Sequence, residues 1–263
     1  MSAMKVNLHT HTPRCHHAEG SEREYIEKAI EGGMTVLGFA DHAPMIFDGD
    51  YYSTFRMRPE ELEDYVTTIL DLKKEYEKDI HIYLGLEAEY YPRHFESFLK
   101  MLEPYPMDYL LQGQHFVGNE DDAKSFYSGA LMDEDAKLHA YVNQVIEGMQ
   151  TGHFLYLAHP DLIYYEGEET FYKKEMARLV DYSIALDVPL EINLQGIWLE
   201  RHYPSPWFWE IAGAKHARAV IGADAHFPDK LYIPEVYTKA VALAEKCGVV
   251  LVQDTLEDRM LNR

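Results

Sequence analysis

The chain has 263 residues, with 24 Lys and Arg against 45 Asp and Glu for a formal net charge of −21, 47% hydrophobic residues and two cysteines. This length accommodates one large α/β domain over 1–263 or two smaller ones; no apolar run is long enough to cross a bilayer, and Cys15 and Cys247 make no disulfide framework, in keeping with a reducing cytoplasm. So acidic a surface repels a phosphate backbone, which speaks against long nucleic acid as a partner and for a small substrate carrying positive groups, with a plain solubility surface as the other reading.

The first residues lack the basic flank and apolar core of a secretory signal. Residues 5–8 read as a short strand running into His9-Thr10-His11. Side chains two apart on a strand share a face, so His9 and His11 can grip one ion, and the loop that follows returns His17, or its neighbour His16, to the same mouth. Ser21-x-x-Glu24 is a capping box opening a helix that Gly32-Gly33 stop. The strand 35–40 then ends in Asp41-His42. A loop over 43–57 with Tyr51, Tyr52, Phe55 and Arg56 has the length of a lid or a substrate-facing loop. The next helix starts near Pro59 and buries Leu62, Tyr65, Val66, Ile69 and Leu70.

A third strand, 80–86, leads into Glu87-Ala88-Glu89, and after a short helix over 93–102 a fourth, 109–114, leads into His115. Beyond a polar loop over 116–131 and a helix over 133–150, the fifth strand, 154–158, is followed by His159-Pro160-Asp161. A helix over 173–186 precedes the sixth strand, 189–193, and an aromatic loop with Trp198, Arg201 and His202. After a helix over 206–216, the seventh strand, 219–223, closes on Asp224-Ala225-His226; a helix over 234–246 and a short strand over 249–252 complete the chain. No repeat, linker or low-complexity tract divides it, which favours one domain.

These apolar runs are short and do not alternate, as expected of parallel strands covered on both faces and separated by helices: a β/α barrel or a doubly wound sheet. In a barrel the C-terminal strand ends converge on one face, where the active site forms. His9, His11, His42, Glu87, His115, His159, Asp224 and His226 each follow a predicted strand directly. With His17 they exceed the need of one catalytic zinc, which takes about three protein ligands plus water. Several ions are expected, Glu87 bridging two. Cys15 reads as a small buried residue, and His16, His81, His94, His139, His153, His202 and His216 as structural or exposed.

The ordered set His9-x-His11, His17, Asp41-His42, Glu87, His115, His159 and Asp224-x-His226 resembles the polymerase and histidinol phosphatase (PHP) family of metal-dependent phosphoesterases, from about Met4 to the last helix. His9-Thr10-His11-Thr12-Pro13-x-Cys15-x-His17, Asp41-His42-Ala43-Pro44, Gly85-Leu86-Glu87 and Leu190-Glu191-Ile192-Asn193 look most like its histidinol-phosphatase branch. The chain departs at Asn7, where members often carry Asp, and at Asp41, where that branch often has Glu; both sit where hydrogen bonding behind the ligands is set. The resemblance implies a distorted (β/α)7, TIM-barrel-like fold with a trinuclear site of divalent Zn, Mn or Fe. One ion would be held by His9, His11, Glu87 and Asp224, a second by Glu87, His115 and His159, and a third by His17, His42 and His226, with Glu87, Asp224 and His226 carrying catalysis.

The implied reaction is hydrolysis of L-histidinol phosphate to L-histidinol and phosphate, a step of histidine biosynthesis, by in-line attack of a metal-bridging hydroxide. Arg201 and Arg14 are the candidates to hold phosphate oxygens. Glu89, Asp161 or Glu200 would meet the substrate ammonium, and Tyr51, Tyr52, Trp198 and Trp207 would frame its imidazole. The alternatives are a related phosphoesterase acting on a nucleoside monophosphate or sugar phosphate, an amidohydrolase-like C–N hydrolase, which leaves His17, His42 and His226 without a use, and a non-catalytic metal-binding barrel.

Overall fold

The computed structural model describes residues 4–261. Strand β1 (Val6–Asn7) is followed by α1 (Glu22–Glu31), β2 (Val36–His42), α2 (Leu62–Glu75), β3 (His81–Ala88), α3 (Phe95–Leu102) and β4 (Tyr109–Gln112). A hairpin of β5 (Phe116–Val117) and β6 (Phe126–Tyr127) precedes α4 (Asp135–Gln150), β7 (Tyr156–Leu157), α5 (Glu169–Ala185) and β8 (Leu190–Asn193). Then come α6 (Leu194–Trp198), α7 (Pro206–Ala214), β9 (Arg218–Gly222), α8 (Pro234–Cys247), β10 (Val250–Leu251) and α9 (Leu256–Leu261). Among the described residues no helix is long and apolar enough to cross a membrane.

Eight parallel strands form one sheet in the order β1-β2-β3-β4-β7-β8-β9-β10, curled into the distorted, TIM-barrel-like α/β fold that the resemblance implies. β2 is buried at all seven positions, which is why its sequence does not alternate. The sheet curls back on itself where β1 nears β9. There the ladder is replaced by a Thr10–Ala225 bridge, by Asn7 Oδ1 accepting the Ala223 N–H at 2.8 Å, and by the Gln253 amide donating to Val6 O (2.9 Å) and Ile221 O (2.7 Å). Asn7 also donates to Thr10 Oγ1 at 2.8 Å, a bond the more usual Asp could not offer while ionised.

Strand parity separates two packed groups. Leu37, Phe39, Leu84 and Leu86 pack outward with the helices, whereas Val36, Ala40, Tyr109, Leu111 and Val220 pack with Val6 and Leu8 inside, above Leu256 and Met260 of α9. The interior is narrow, and Tyr109 occupies it only because Gly38 and Gly85 present no Cβ to its ring; its hydroxyl donates to Leu8 O (2.7 Å) and Phe39 O (3.1 Å). The same inward parity continues upward to His42 on β2 and Glu87 on β3, so polar residues at the strand tops point into one mouth.

The capping box forms as read, with the Glu24 carboxylate accepting the Ser21 N–H at 2.6 Å. On α2 the fifth buried position is Leu72 and not Leu70, which lies half-buried against the core. The stretch over 116–131, expected as loop, contains the β5–β6 hairpin, and the aromatic loop after β8 begins with the single turn of α6, capped by Asn193 Oδ1 accepting the Gly196 N–H at 3.1 Å. Loop 43–58 is not a free lid. Arg93 ties Asp48 (3.1 Å) to Asp121 (2.7 Å), and Tyr51 donates to Glu120 at 3.0 Å, stapling it to the turn after β5.

Candidate metal centre

Glu87, at the top of β3, is the hub. Its Oε1 lies 2.7 Å from His159 Nε2 and 3.7 Å from His115 Nε2; its Oε2 lies 3.0 Å from His42 Nδ1, 3.5 Å from His9 Nε2 and 3.6 Å from His11 Nε2. Asp224, in the left-handed backbone region just after β9, places Oδ1 3.1 Å from His11 Nε2 and 3.8 Å from His9 Nε2. His17 stacks against His42 and lies tilted against His226, with ring centroids 5.2 and 4.6 Å apart. Ligand atoms of His9, His11 and Asp224, of His9, Glu87 and His159, and of His17, His42 and His226 each lie within 4.8 Å of one another. All nine sequence candidates therefore meet in one place, whereas His16 turns outward toward Glu61 at 3.7 Å.

Of the nitrogens that face away from this centre, four are held by an acceptor, whereas His159 Nδ1 is buried without a hydrogen-bond partner. His9 Nδ1 is 2.8 Å from Glu191 Oε1, His11 Nδ1 3.3 Å from Asp41 Oδ1, His17 Nδ1 2.8 Å from the Cys15 carbonyl and His115 Nδ1 2.9 Å from Glu89 Oε1. Acceptors at Nδ1 place the hydrogen there and turn the Nε2 lone pair inward. Inward, by contrast, His9 Nε2, His11 Nε2, His42 Nδ1, His226 Nε2 and Glu87 Oε2 are buried without a hydrogen-bond partner. Buried polar atoms are nearly always paired, so a convergent set of orphaned lone pairs is a donor set shaped for cations.

The electrostatics agree. Burial works to discharge His9, yet Glu191, Asp224 and Glu87 outweigh it and raise its pKa well above the ordinary value. His11 behaves likewise: burial lowers it, but the Asp224 and Asp41 carboxylates beside it lift it to about 9. Burial tends to raise Glu87, and His115, His9 and His42 hold it well below the usual carboxylate range. His17, His42 and His226 are instead depressed, first by burial, which leaves them neutral and ready to ligate.

Above the centre opens a cavity of about 450 Å³, walled by Phe55, Phe116 and Tyr127 on one side and by Leu162, Trp198, Arg201 and Tyr203 on the other. Phe55 stacks on Phe116 at 5.6 Å, and Phe116 meets Tyr127 at 5.6 Å. Several expected substrate contacts lie elsewhere. Arg14 is a correction: its guanidinium is taken by Glu22 and by Asp64 (2.6 Å), so it is not among the residues lining the cavity. Glu89 is buried and spent on Arg56 and His115; Asp161 is buried and accepts the Ser205 N–H; Glu200 is exposed outside the cavity. Tyr51, Tyr52 and Trp207 line other depressions, which leaves Trp198 as the expected aromatic that faces the site.

Glu191 was not singled out as a site residue, although it is fully buried, backs His9 and accepts the His159 N–H at 3.1 Å. Asn193, which donates to Asp224 Oδ2 at 3.0 Å, and Gln195, whose amide lies 2.8 Å from His226 Nδ1, complete the support. Their signal was parity: Glu191 and Asn193 stand two apart on β8, on one face.

A parallel β/α barrel that gathers imidazoles and carboxylates at its strand tops defines a metal-dependent hydrolase. The chain belongs to the PHP domain family, which matches residues 7–195. It is 28% identical over 228 residues to a protein of Deinococcus radiodurans named as a probable histidinol-phosphatase, covering 85% of this chain and 86% of that one. A protein of Schizosaccharomyces pombe with the same name is 26% identical over 271 residues, covering 94% and 88%. The fold matches the histidinol phosphate phosphatase of Lactococcus lactis, solved with zinc, L-histidinol and phosphate, at a TM-score of 0.72 and 19% identity over 95% of this chain and 96% of that one.

Proposed function

We propose that the protein is a metal-dependent phosphomonoesterase that hydrolyses L-histidinol phosphate to L-histidinol and inorganic phosphate in histidine biosynthesis. The observation that carries this reading is the ring of unpaired, inward-facing imidazole nitrogens around Glu87, lying beneath a cavity with one arginine and aromatic walls. Relatives spanning nearly the whole chain and bearing the histidinol-phosphatase name support the choice of substrate.

We assign three divalent ions: one to His9, His11, Glu87 and Asp224, one to Glu87, His115 and His159, and one to His17, His42 and His226, with Zn, Mn and Fe all suited to such mixed donors. Bound there, divalent ions neutralise phosphoryl oxygens and lower the pKa of water toward ~7. Glu87, Asp224 and His226 carry catalysis by fixing the donor geometry, and Glu191, Asp41 and Glu89 hold the ligand rings from behind. Arg201 offers a guanidinium fork to the phosphate, and Phe55, Phe116, Tyr127 and Trp198 present flat faces to the imidazole of the leaving group. Convergence of His17, His42 and His226 favours a phosphoesterase over a C–N hydrolase, for which these three have no role.

The test is phosphate release from L-histidinol phosphate against a panel of nucleoside monophosphates and sugar phosphates, with metal content measured on the same preparation. Preference for histidinol phosphate with three ions per chain is expected. Preference for another ester rejects the substrate, and two ions or fewer in fully active protein rejects the trinuclear assignment.

A further inference from the structure

Behind His115 lies a buried ionic cluster whose arginine has no part in the reading proposed above. Arg56, in loop 43–58, is only 2% exposed. Its Nη1 donates to Glu89 Oε2 at 2.9 Å and to the Ala43 carbonyl at 3.0 Å, its Nη2 to Glu120 Oε2 at 2.5 Å and to the Tyr91 hydroxyl at 3.4 Å, and its Nε to Ser53 Oγ at 3.2 Å. The guanidinium carbon lies 4.4 Å over the Phe55 ring. Burying a guanidinium is costly unless its donors are satisfied, and here five acceptors and an aromatic face satisfy it, so its position is closely determined.

Glu89 is shared. One oxygen faces Arg56, and the other lies 2.9 Å from His115 Nδ1. A lone buried carboxylate has several rotamers; with one oxygen pinned by Arg56, the other is held at His115. That fixes the hydrogen on Nδ1 and aims Nε2 at Glu87 Oε1, 3.7 Å away. Arg56 also grips the carbonyl directly after His42, and Phe55 beside it meets the His42 and His115 rings edge-on at 5.3 and 5.9 Å. We infer that Arg56 is a positioning residue of the metal centre: through Glu89 it sets the orientation of His115 and with it the hold on the ion between Glu87, His115 and His159. The inference rests on the metal-centre reading proposed above.

The test uses the full chain, stripped and reloaded with zinc, and reads zinc per chain and the rate of zinc release to a chromogenic chelator. In Arg56→Lys, which keeps the charge and loses the fork, one zinc is expected to leave about 10- to 100-fold faster than in the unmutated protein. Glu89→Gln should accelerate the same zinc, and the double variant should be no worse than the more affected single one. Glu175→Gln controls for general loosening, because Glu175 is an equally buried carboxylate shared by His139 and Arg178 between α4 and α5; it should lower the melting temperature without changing zinc release. His115→Ala separates the two levels. If it retains zinc as the unmutated protein does, the metal-centre reading fails and this inference with it. If His115→Ala loses zinc while Arg56→Lys and Arg56→Met release it at the normal rate, only the role of Arg56 is overturned, as it also is if the effects of Arg56→Lys and Glu89→Gln multiply. Should Arg56→Met not fold, Arg56→Lys and Glu89→Gln decide the question alone.

Discussion

His9 Nδ1 lies 2.8 Å from Glu191 Oε1, and neither side chain has any exposed surface. The second oxygen of Glu191 accepts the His159 backbone N–H at 3.1 Å and the Asn193 amide at 2.9 Å, so one carboxylate stands behind two candidate ligands. Carboxylates in this position fix ring orientation and raise ligand basicity, and their loss typically costs about 10- to 100-fold in metal affinity or activity. Glu191→Gln is therefore expected to lower kcat by that factor with KM little changed. Zinc titration and phosphate release check it; a variant within twofold of the parent in both would show that Glu191 only fills space.

Gly113 supplies a second test, because a Cβ there would run into the Glu87 carboxylate. Its backbone is not in the left-handed region, so alanine introduces the collision without backbone strain. Gly113→Ala should fold, by circular dichroism, yet bind metal poorly and lose most of its activity. Gly152→Ala is the counterpart: φ of +73° with open space around it predicts a stability loss of about 1–2 kcal/mol and normal metal binding. Equal metal loss in both variants would mean that the effect at Gly113 is not local to Glu87.

Eight of the nine candidate ligands are legible because each follows a predicted strand, such as His42 after Val36 to Ala40, His115 after β4 and Asp224 after β9, with His17 returned by the first loop. The strand signal, the barrel rule and the residue types all pointed to one mouth. What stood behind the ligands was harder to read. Glu191 and Glu89 look like ordinary acids in an acidic chain, and their roles depend on which neighbour the fold places opposite, His9 across 182 positions or Arg56 across 33. Arg14 differs from its expectation for the same reason: its guanidinium fork suits phosphate oxygens, while Asp64, 50 positions on, claims it. The β5–β6 hairpin has two-residue strands and α6 only five residues, too short for any periodicity to register.

Arg201 is the arginine among the cavity-lining residues. A charge-assisted hydrogen bond is worth about 1.5–3 kcal/mol, and leaving its partner unpaired costs at least as much. Arg201→Ala should therefore raise KM for L-histidinol phosphate or lower kcat/KM by about 10- to 100-fold, with zinc content unchanged. Arg14→Ala, by contrast, breaks contacts with Glu22 and Asp64 away from the cavity and should leave KM near the parent value. Steady-state kinetics of the two variants side by side distinguish them, and the reverse ranking would return Arg14 to the site.

Metal removal ties stability to pH in a direction the geometry fixes. Without cations, protons balance the buried carboxylates: burial lowers His11, but the neighbouring Asp224 and Asp41 carboxylates lift its pKa to about 9, and in His9 the carboxylates of Glu191, Asp224 and Glu87 likewise overcome burial. With an unfolded-state value near ~6.5, that protonation stabilises the metal-free fold fully below about pH 6.5 and is lost as pH rises through about 9. Cations need the deprotonated rings, so loading expels protons and stabilises the fold more as pH rises. Chelated protein should thus melt at a falling temperature between pH 6.5 and 9 while the zinc-loaded protein holds, and the gap between their melting curves should widen with pH. Thermal melts of both forms across that range test it, with proton release on zinc addition followed by an indicator dye in weak buffer. A gap that narrows toward pH 9, or loading without proton release at pH 7, would mean that these histidines are already neutral in the metal-free protein.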